Sequence, residues 1–149
     1  MLDWELRARE QIRDLVARYN ANGDSGRLDE VIALFADDAT LDIDSRCYDG
    51  CTEIREMFER AAAQTRSEPG AYIRHFTATH QIDLVDEQVA RGRSYFQVLT
   101  QAGLDHWGRY LDRYSQSAGG WRFQARTVHI DGRVVGGWSD RAKARLEQP

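Results

Sequence analysis

The chain has 149 residues, 42% of them hydrophobic, with 20 basic and 24 acidic side chains and a net charge of −4. This length predicts one domain over residues 1–149, large enough for a core without disulfides or metals, and the acidic balance argues against nucleic-acid binding. Because no apolar run reaches about 18 residues and the N-terminus is charged, the sequence predicts no membrane span, no signal peptide and a cytoplasmic location.

Two helices are predicted at the N-terminus. Apolar residues recur at helical spacing up to Tyr19, and the polar, glycine-containing residues 20–23 end the first helix. A second, short helix is expected over residues 28–35, with Phe35 as its last apolar position. Asp24 lies between the two helices, where its simplest role is to cap the N-terminus of the second one.

A strand and a third helix are predicted next. Polar and apolar residues alternate over residues 40–44, which predicts a strand with Leu41 and Ile43 on one face. After a turn that contains Tyr48, a third helix is expected to begin at Thr52, whose hydroxyl can cap it. An apolar stripe at helical spacing supports this helix.

The second half of the chain predicts strands. Four runs rich in aromatic and β-branched residues are separated by short turns, at residues 71–85, 89–101, 104–117 and 121–130. Long strands with short turns form an antiparallel meander, and helices followed by strands give an α+β fold with the helices on one face of the sheet. A curled sheet leaves an open cone whose mouth is a natural small-molecule pocket. The polar segment from residue 133 is interpreted as a loose extension or an oligomer contact.

Several classes of chemistry lack their usual residues. Cys47 and Cys51 have no partners at metal-site spacing, so we expect two free thiols and no metal. Lys143 is the only lysine and lies in a polar tail, which argues against a Schiff-base mechanism. Motifs of phosphate-binding loops, serine hydrolases and zinc proteases do not occur in the sequence. No cofactor is therefore expected.

One of the four histidines is placed to act chemically. Ile73, His75, Thr77 and Thr79 share one face of their predicted strand. If that face is concave, His75 projects into a pocket lined by hydroxyl groups and hydrocarbon; otherwise it is a structural histidine. The remaining histidines are interpreted as ordinary strand positions: His80, His106 and His129.

Arg126 lies in the last predicted strand. Strict alternation places it on the face opposite Trp121, Phe123 and Ala125. An arginine on a surface strand is usually solvated, so by itself this residue carries no functional signal.

The order and spacing of several short motifs resemble the SnoaL-like branch of the nuclear-transport-factor-2-like fold over about residues 4–132. The motifs are residues 11–19, Asp24, 34–39, 48–50, 74–76 and 120–123. The resemblance implies a cone-shaped, cystatin-like α+β barrel, in which three N-terminal helices pack on a strongly curved, mostly antiparallel sheet. It leaves residues 133–149 as a C-terminal extension.

Within that fold the chain is similar to lyases that act on small hydrophobic rings: the scytalone dehydratase, hexachlorocyclohexane dehydrochlorinase and bile-acid 7α-dehydratase families. These use a His–Asp pair, and the resemblance places His75 and Asp24 at its two positions and Arg126 at an active-site arginine. Tyr19 stands near the position of the dehydrochlorinase lysine, and Thr79 where an asparagine is common. The departure at Tyr19 favours a dehydratase acting on a small hydrophobic cyclic or polyketide-like molecule.

The residues expected to bind the substrate are Tyr19, Leu41, Ile43, Tyr48, Phe96, Val98 and Tyr110. Gly92 and Ser94 share a face with Phe96 and Val98, and their small side chains would leave room for the ligand. Two alternatives stay open. One is the non-catalytic small subunit of an aromatic-ring hydroxylating dioxygenase, which has the same fold; the other is an isomerase, a cyclase or a ligand-binding module.

The outer face of the sheet is the expected site of self-association. Trp107, Arg109, Leu111 and Arg113 alternate on the face that points away from the predicted pocket. A mixed apolar and arginine surface of this kind favours a homodimer or homotrimer.

Overall fold

A computed structural model describes residues 1–146 of the chain. In chain order the elements are α1 (Asp3–Asp24), α2 (Leu28–Ile32), β1 (Phe35–Ile43), β2 (Arg46–Asp49), α3 (Gly50–Arg66), β3 (Ile73–Leu84), β4 (Val89–Thr100), β5 (Gly103–Ser117), β6 (Gly120–Arg133) and α4 (Trp138–Leu146). The predicted α+β fold and the four long strands of the second half are confirmed.

The six strands form one curved, open sheet in the order β2-β1-β6-β5-β4-β3. All neighbouring strands are antiparallel except β1 and β6, which are parallel. α1 packs against β3 and β6, and α3 packs against β1 and β2. The helices therefore cover the concave face, where the buried apolar side chains of the core lie.

The helix expected over residues 28–35 ends at Ile32, and Phe35 begins β1. The prediction for Phe35 was wrong because a long-range contact overrides the local helical spacing. Leu34 accepts a hydrogen bond from the backbone N–H of Phe123 at 2.9 Å, which aligns the chain beside β6. The Phe35 and Phe123 rings then pack with centroids 5.3 Å apart.

Irregularities in two strands change which side chains point inward. In β3 the pairing with β4 shifts between Ala78 and Gln81, and Thr79 has a positive φ of 54°. The bulge expels Thr79 to solvent, so the prediction that it shares a face with His75 is wrong. Beyond the bulge, His80 is half-buried.

In β6 the pairing with β5 shifts where Tyr114 faces Phe123 and Arg113 faces Ala125. β6 therefore has one residue more than β5 at this point. The extra residue reverses the inward and outward alternation of the β6 side chains, so that Arg126 is fully buried on the same side as Phe123. The prediction that Arg126 lies on the opposite face from Phe123 was therefore wrong.

Residues 134–146 are not a loose extension, because they contain α4, and the last three residues of the predicted extension lie outside the described residues. Arg141 donates to both carboxylate oxygens of Glu68 at 2.7 and 2.8 Å, and the Gln64 side chain donates to the backbone carbonyl of Trp138 at 3.1 Å. These contacts hold α4 beside the C-terminal end of α3. Among residues 1–146, no helix is long and apolar enough to cross a membrane.

Candidate active site

A cavity of about 780 Å³ lies between the concave face of the sheet and helices α1, α3 and α4. Of the residues expected to bind substrate, five line it: Tyr19, Ile43, Tyr48, Phe96 and Tyr110. Leu41 and Val98 do not, because both are completely buried in the core. Val98 is paired with His75 on one side and His106 on the other, so it lies between them.

His75 and Asp24 are joined at the cavity wall by two hydrogen bonds. The His75 ring nitrogen Nδ1 lies 2.6 Å from Asp24 Oδ1, and the His75 backbone N–H donates to Asp24 Oδ2 at 2.8 Å. The Asp24 side chain is 9% exposed and the His75 side chain 20%. Because Nδ1 is engaged, Nε2 is the ring nitrogen left for the cavity. Asp24 does not cap α2, whose N-terminus has no side-chain cap.

The pair is aligned by the way α1 runs along β3. Four residues before Asp24, Asn20 donates to Thr77 Oγ1 at 2.7 Å, two residues after His75. Four residues of helix rise about 6 Å and two residues of strand about 6.6 Å, so the two contacts stay in step. β3 is an edge strand, and Asp24 satisfies a backbone N–H that would otherwise face outward at this edge.

A second histidine–aspartate pair lies on the same cavity wall, and the sequence prediction missed it. His106 Nδ1 lies 2.7 Å from Asp105 Oδ2. The His106 and His75 rings are nearly perpendicular, with centroids 6.3 Å apart. Burial lowers the pKa of His106, and the hydrogen bond that Asp105 accepts only partly offsets this. His106 shares strand parity with Tyr110, which was a signal that it faces inward.

Asp105 also forms the N-terminal cap of α4. Its two carboxylate oxygens accept hydrogen bonds from the backbone N–H groups of Trp138 at 2.5 Å and Ser139 at 3.0 Å. The close approach depends on Gly137, where a Cβ atom would lie 2.6 Å from Asp105 Oδ1. Asp105 can turn toward α4 because it is the extra residue of a bulge in β5, next to the His106 position.

Aromatic rings complete the wall next to the two histidines. Phe96 packs against both histidines, with its ring centroid 6.2 Å from that of His75 and 6.0 Å from that of His106, so the three rings form a triangle. The Tyr110 ring stacks on Phe96 at 4.5 Å, and its hydroxyl donates to Asn20 Oδ1 at 3.4 Å. Burial raises the pKa of Tyr110, so its hydroxyl stays protonated.

Arg126 lies below this wall and is not among the residues that line the cavity. It forms a bidentate ion pair with Asp112 at 2.7 and 2.8 Å, and both side chains are fully buried. Burial lowers the pKa of Arg126, but the neighbouring Asp112 carboxylate raises it by more. The net pKa is therefore raised, and the guanidinium is charged. Its carbon Cζ sits 4.2 Å from the Tyr19 ring centroid and 4.0 Å from that of Tyr110.

The small residues on β4 do not provide ligand space. A Cβ atom at Gly92 would lie 2.5 Å from the Tyr114 hydroxyl, so Gly92 makes room for that ring. Ser94 is buried and is not part of the cavity lining. The Tyr114 hydroxyl donates to Asp112 and lies 3.3 Å from His80 Nε2. The expectation that Gly92 and Ser94 open the pocket was wrong.

Within the described residues, no group of three or more His, Cys, Asp or Glu side chains is arranged to hold a metal ion. Both cysteines, Cys47 and Cys51, are free thiols. Two imidazoles, each hydrogen-bonded to a carboxylate, lie at the cavity together with tyrosine hydroxyls.

Comparison with known proteins identifies the relatives of this architecture. The profile of the SnoaL-like domain family matches residues 4–127. A search of curated proteins finds no match. Among solved structures, a protein of unknown function from Mycobacterium tuberculosis, Rv3472, is 26% identical, with a TM-score of 0.77 over 91% of this chain and 78% of that one.

Two further solved structures share the fold at lower identity. A candidate scytalone dehydratase from Novosphingobium aromaticivorans is 21% identical, with a TM-score of 0.79 over 90% of this chain and 91% of that one. The β subunit of a candidate aromatic-ring-hydroxylating dioxygenase from the same organism is 22% identical, with a TM-score of 0.68 over 87% and 93% of the two chains. Both likenesses concern the fold alone.

Proposed function

Because the chain belongs to the SnoaL-like domain family, we propose that it is a cofactor-independent acid–base lyase of the dehydratase type. Its substrate is a small hydrophobic cyclic or polyketide-like molecule. The observation that carries the proposal is the double contact of Asp24 with the backbone and the ring of His75 at the wall of a large, mostly apolar cavity. Asp24 performs no capping role that would otherwise explain it.

His75 is the general base. Its Nε2 removes a proton from the carbon next to a substrate carbonyl, and the ring becomes an imidazolium. Asp24 accepts the Nδ1–H hydrogen bond, which fixes the tautomer that leaves Nε2 free and stabilises the positive charge formed during the step. The pair therefore supplies a base whose orientation is set before the substrate binds.

The proton taken from the carbon is then transferred to the departing oxygen. When the carbon–oxygen bond breaks, the leaving hydroxide takes the proton from the His75 imidazolium, water is released and the ring returns to its neutral form. His106 is suited to orient that hydroxyl, because Asp105 holds its Nδ1 and burial keeps it neutral, so that Nε2 can accept a hydrogen bond. The Tyr110 hydroxyl on the same wall stays protonated and donates to Asn20, so its oxygen is the atom that can accept a hydrogen bond there.

Arg126 supports the site from below and does not contact substrate in this proposal. Its guanidinium lies under the Tyr19 and Tyr110 rings, where a buried cation attracts the electron-rich ring faces. Asp112 neutralises it. Arg126 is therefore a positioning residue for two tyrosines of the cavity floor, in place of the catalytic arginine expected from the sequence.

Hydrogen exchange at the substrate carbon tests the proposal directly. Cyclic β-hydroxyketones are incubated with the protein in D2O, and deuterium incorporation next to the carbonyl is followed by NMR while elimination is followed by absorbance of the conjugated product. His75→Gln is expected to lower both rates by about 10²–10⁴-fold, because a positioned base contributes about that much.

His129→Gln is the matched control, since His129 lies on β6 and does not line the cavity. It should exchange at the wild-type rate. Exchange by His75→Gln at the wild-type rate would contradict the role of this residue. The absence of exchange and elimination across the panel would favour the non-catalytic alternatives, a dioxygenase subunit or a binding module.

A further inference from the structure

We propose that the molecule bound in this cavity is an anion: an apolar ring system that carries a carboxylate or a similar acidic group toward α3 and α4. This deepens the proposed function by naming the substrate class of the same site, and it rests on that site being the one that binds substrate. It follows from the distribution of charge around the cavity, which differs from that of the whole chain.

Basic side chains dominate the charged residues of the cavity lining. The basic ones are Arg60, Arg66, Arg133, Lys143 and Arg145. Within residues 1–146, the two acidic residues of the lining already have partners, because Asp24 contacts His75 and Asp44 forms an ion pair with Arg133. In a chain whose net charge is −4, the cavity wall is thus locally positive.

Two of these arginines are available to a ligand. Arg66 at the end of α3 and Arg145 in α4 are exposed, and neither has a carboxylate within 4 Å in the part of the chain that the structure describes. Arg60 is less free, since it lies 4.0 Å from Glu56 and over the Tyr48 ring.

Helix dipoles alone do not account for the pattern. Cations near helix C-terminal ends are favoured in general, which fits Arg66 and Arg145. Arg60 lies in the middle of α3 and Arg133 ends a strand, so the positive charge gathers around the cavity irrespective of helix polarity. A cleft lined by one sign of charge concentrates ligands of the opposite sign.

The rest of the cavity suits the apolar part of such a ligand. Phe96 and Tyr110 stack on each other beside His75, and Met57 and Phe58 of α3 contribute further apolar lining. A ring system on this wall would place reacting carbon atoms near the two imidazoles. Its acidic group would then extend toward the arginines of α3 and α4.

Two fluorescent probes with the same ring body separate charge from hydrophobicity. Anilinonaphthalene sulfonate carries an anionic group, and N-phenylnaphthylamine is its neutral counterpart. Titrations of the full chain should show tighter binding of the sulfonate, weakened by salt as the screening length shortens to about 10 Å near 0.1 M. Displacement of the neutral probe by the sulfonate shows that both occupy one site.

Arg66→Gln and Arg145→Gln should each weaken sulfonate binding by about two- to fivefold and the double variant by about tenfold, as expected for exposed ion pairs. Binding of the neutral probe should not change. Arg113→Gln is the matched control, because Arg113 is exposed on β5 and does not line the cavity. Circular dichroism verifies that each variant is folded.

Equal binding of the two probes, no binding of either, or an equal loss in Arg113→Gln would overturn the proposal. The test does not depend on catalysis. Preference for the anion without deuterium exchange would contradict the lyase function alone, whereas exchange without that preference would contradict the anionic substrate alone.

Discussion

The two histidine–aspartate pairs of the cavity have almost the same hydrogen-bond length and very different origins. His75 meets Asp24 across 51 positions of sequence, at 2.6 Å, where a helix ends beside an edge strand. His106 meets its neighbour Asp105 at 2.7 Å, where a bulge turns the carboxylate toward α4. The His75 side chain is 20% exposed and the His106 side chain 8%.

This difference separates the roles of the two imidazoles. The second carboxylate oxygen of Asp24 accepts a hydrogen bond from the backbone N–H of the same histidine, so both contacts of Asp24 orient His75. Asp105 shares its oxygens between His106 and the first two amides of α4, so it links the cavity wall to a helix that covers the cavity. Two histidine–aspartate pairs with nearly the same hydrogen-bond length thus differ in what the second oxygen of the carboxylate binds.

Among the variants that distinguish the two pairs, Asp24→Asn is expected to have the largest effect, which is on the rate of deuterium exchange. An amide cannot stabilise the imidazolium, and its NH2 group can stabilise the wrong tautomer of His75, so deuterium exchange into the ketone should fall by at least about 10²-fold. Thermal unfolding should change little, because Asn still accepts from the His75 backbone N–H. Exchange within about threefold of wild type would show that Asp24 is structural.

Asp105→Ala should instead act mainly on stability and on α4. It removes the helix cap, typically worth about 1 kcal/mol, and leaves His106 without its charged partner, a bond worth about 1.5–3 kcal/mol. Amide hydrogen exchange measured by mass spectrometry should increase over residues 138–145. Asp24→Ala should leave those amides as protected as in wild type; if both variants exposed α4 equally, the distinction between the pairs would be wrong.

Much of the first pair could be anticipated from the sequence, and little of the second. Helical spacing located α1, strand parity put His75 on an inner face, and the family resemblance joined Asp24 to it. The bulges could not be anticipated, since Thr79 adopts a positive φ without being glycine and Asp105 interrupts an otherwise regular strand. Such irregularities depend on which strands become neighbours, and no local pattern carries that information.

The helix α4 was missed for a related reason. Its start is fixed by the distant Asp105 carboxylate and its position by the Arg141–Glu68 ion pair, while its own composition is polar and reads as a loose tail. Arg126 shows the same limit, because a one-residue shift in β6 changed it from a predicted surface arginine to a buried one.

A smaller effect concerns pH. Burial lowers the pKa of both His106 and His80 in the folded chain. The unfolded chain therefore binds protons first as the pH decreases, and the free energy of unfolding should fall below about pH 6.5. In His106→Gln the decrease in melting temperature between about pH 7.5 and about pH 5.5 should be less steep than in wild type. His129→Gln should keep the wild-type slope; an unchanged slope in His106→Gln would contradict the contribution of this residue.

Loss of self-association is expected to have the smallest effect on the two histidine–aspartate pairs. Trp107, Arg109, Leu111 and Arg113 are all exposed on the face of the sheet opposite the cavity, and Tyr95 beside them is 59% exposed. An apolar surface of this kind favours a homodimer or homotrimer. Leu111→Glu places a charge in the expected contact and should dissociate the oligomer. Light scattering at micromolar concentration measures the oligomeric state. Because both histidine pairs face the other side of the sheet, the dissociated variant should keep the wild-type rate of deuterium exchange per chain. A monomeric wild-type protein would contradict the assembly, and a Leu111→Glu variant that dissociates and loses exchange would show that the cavity is completed by a second copy.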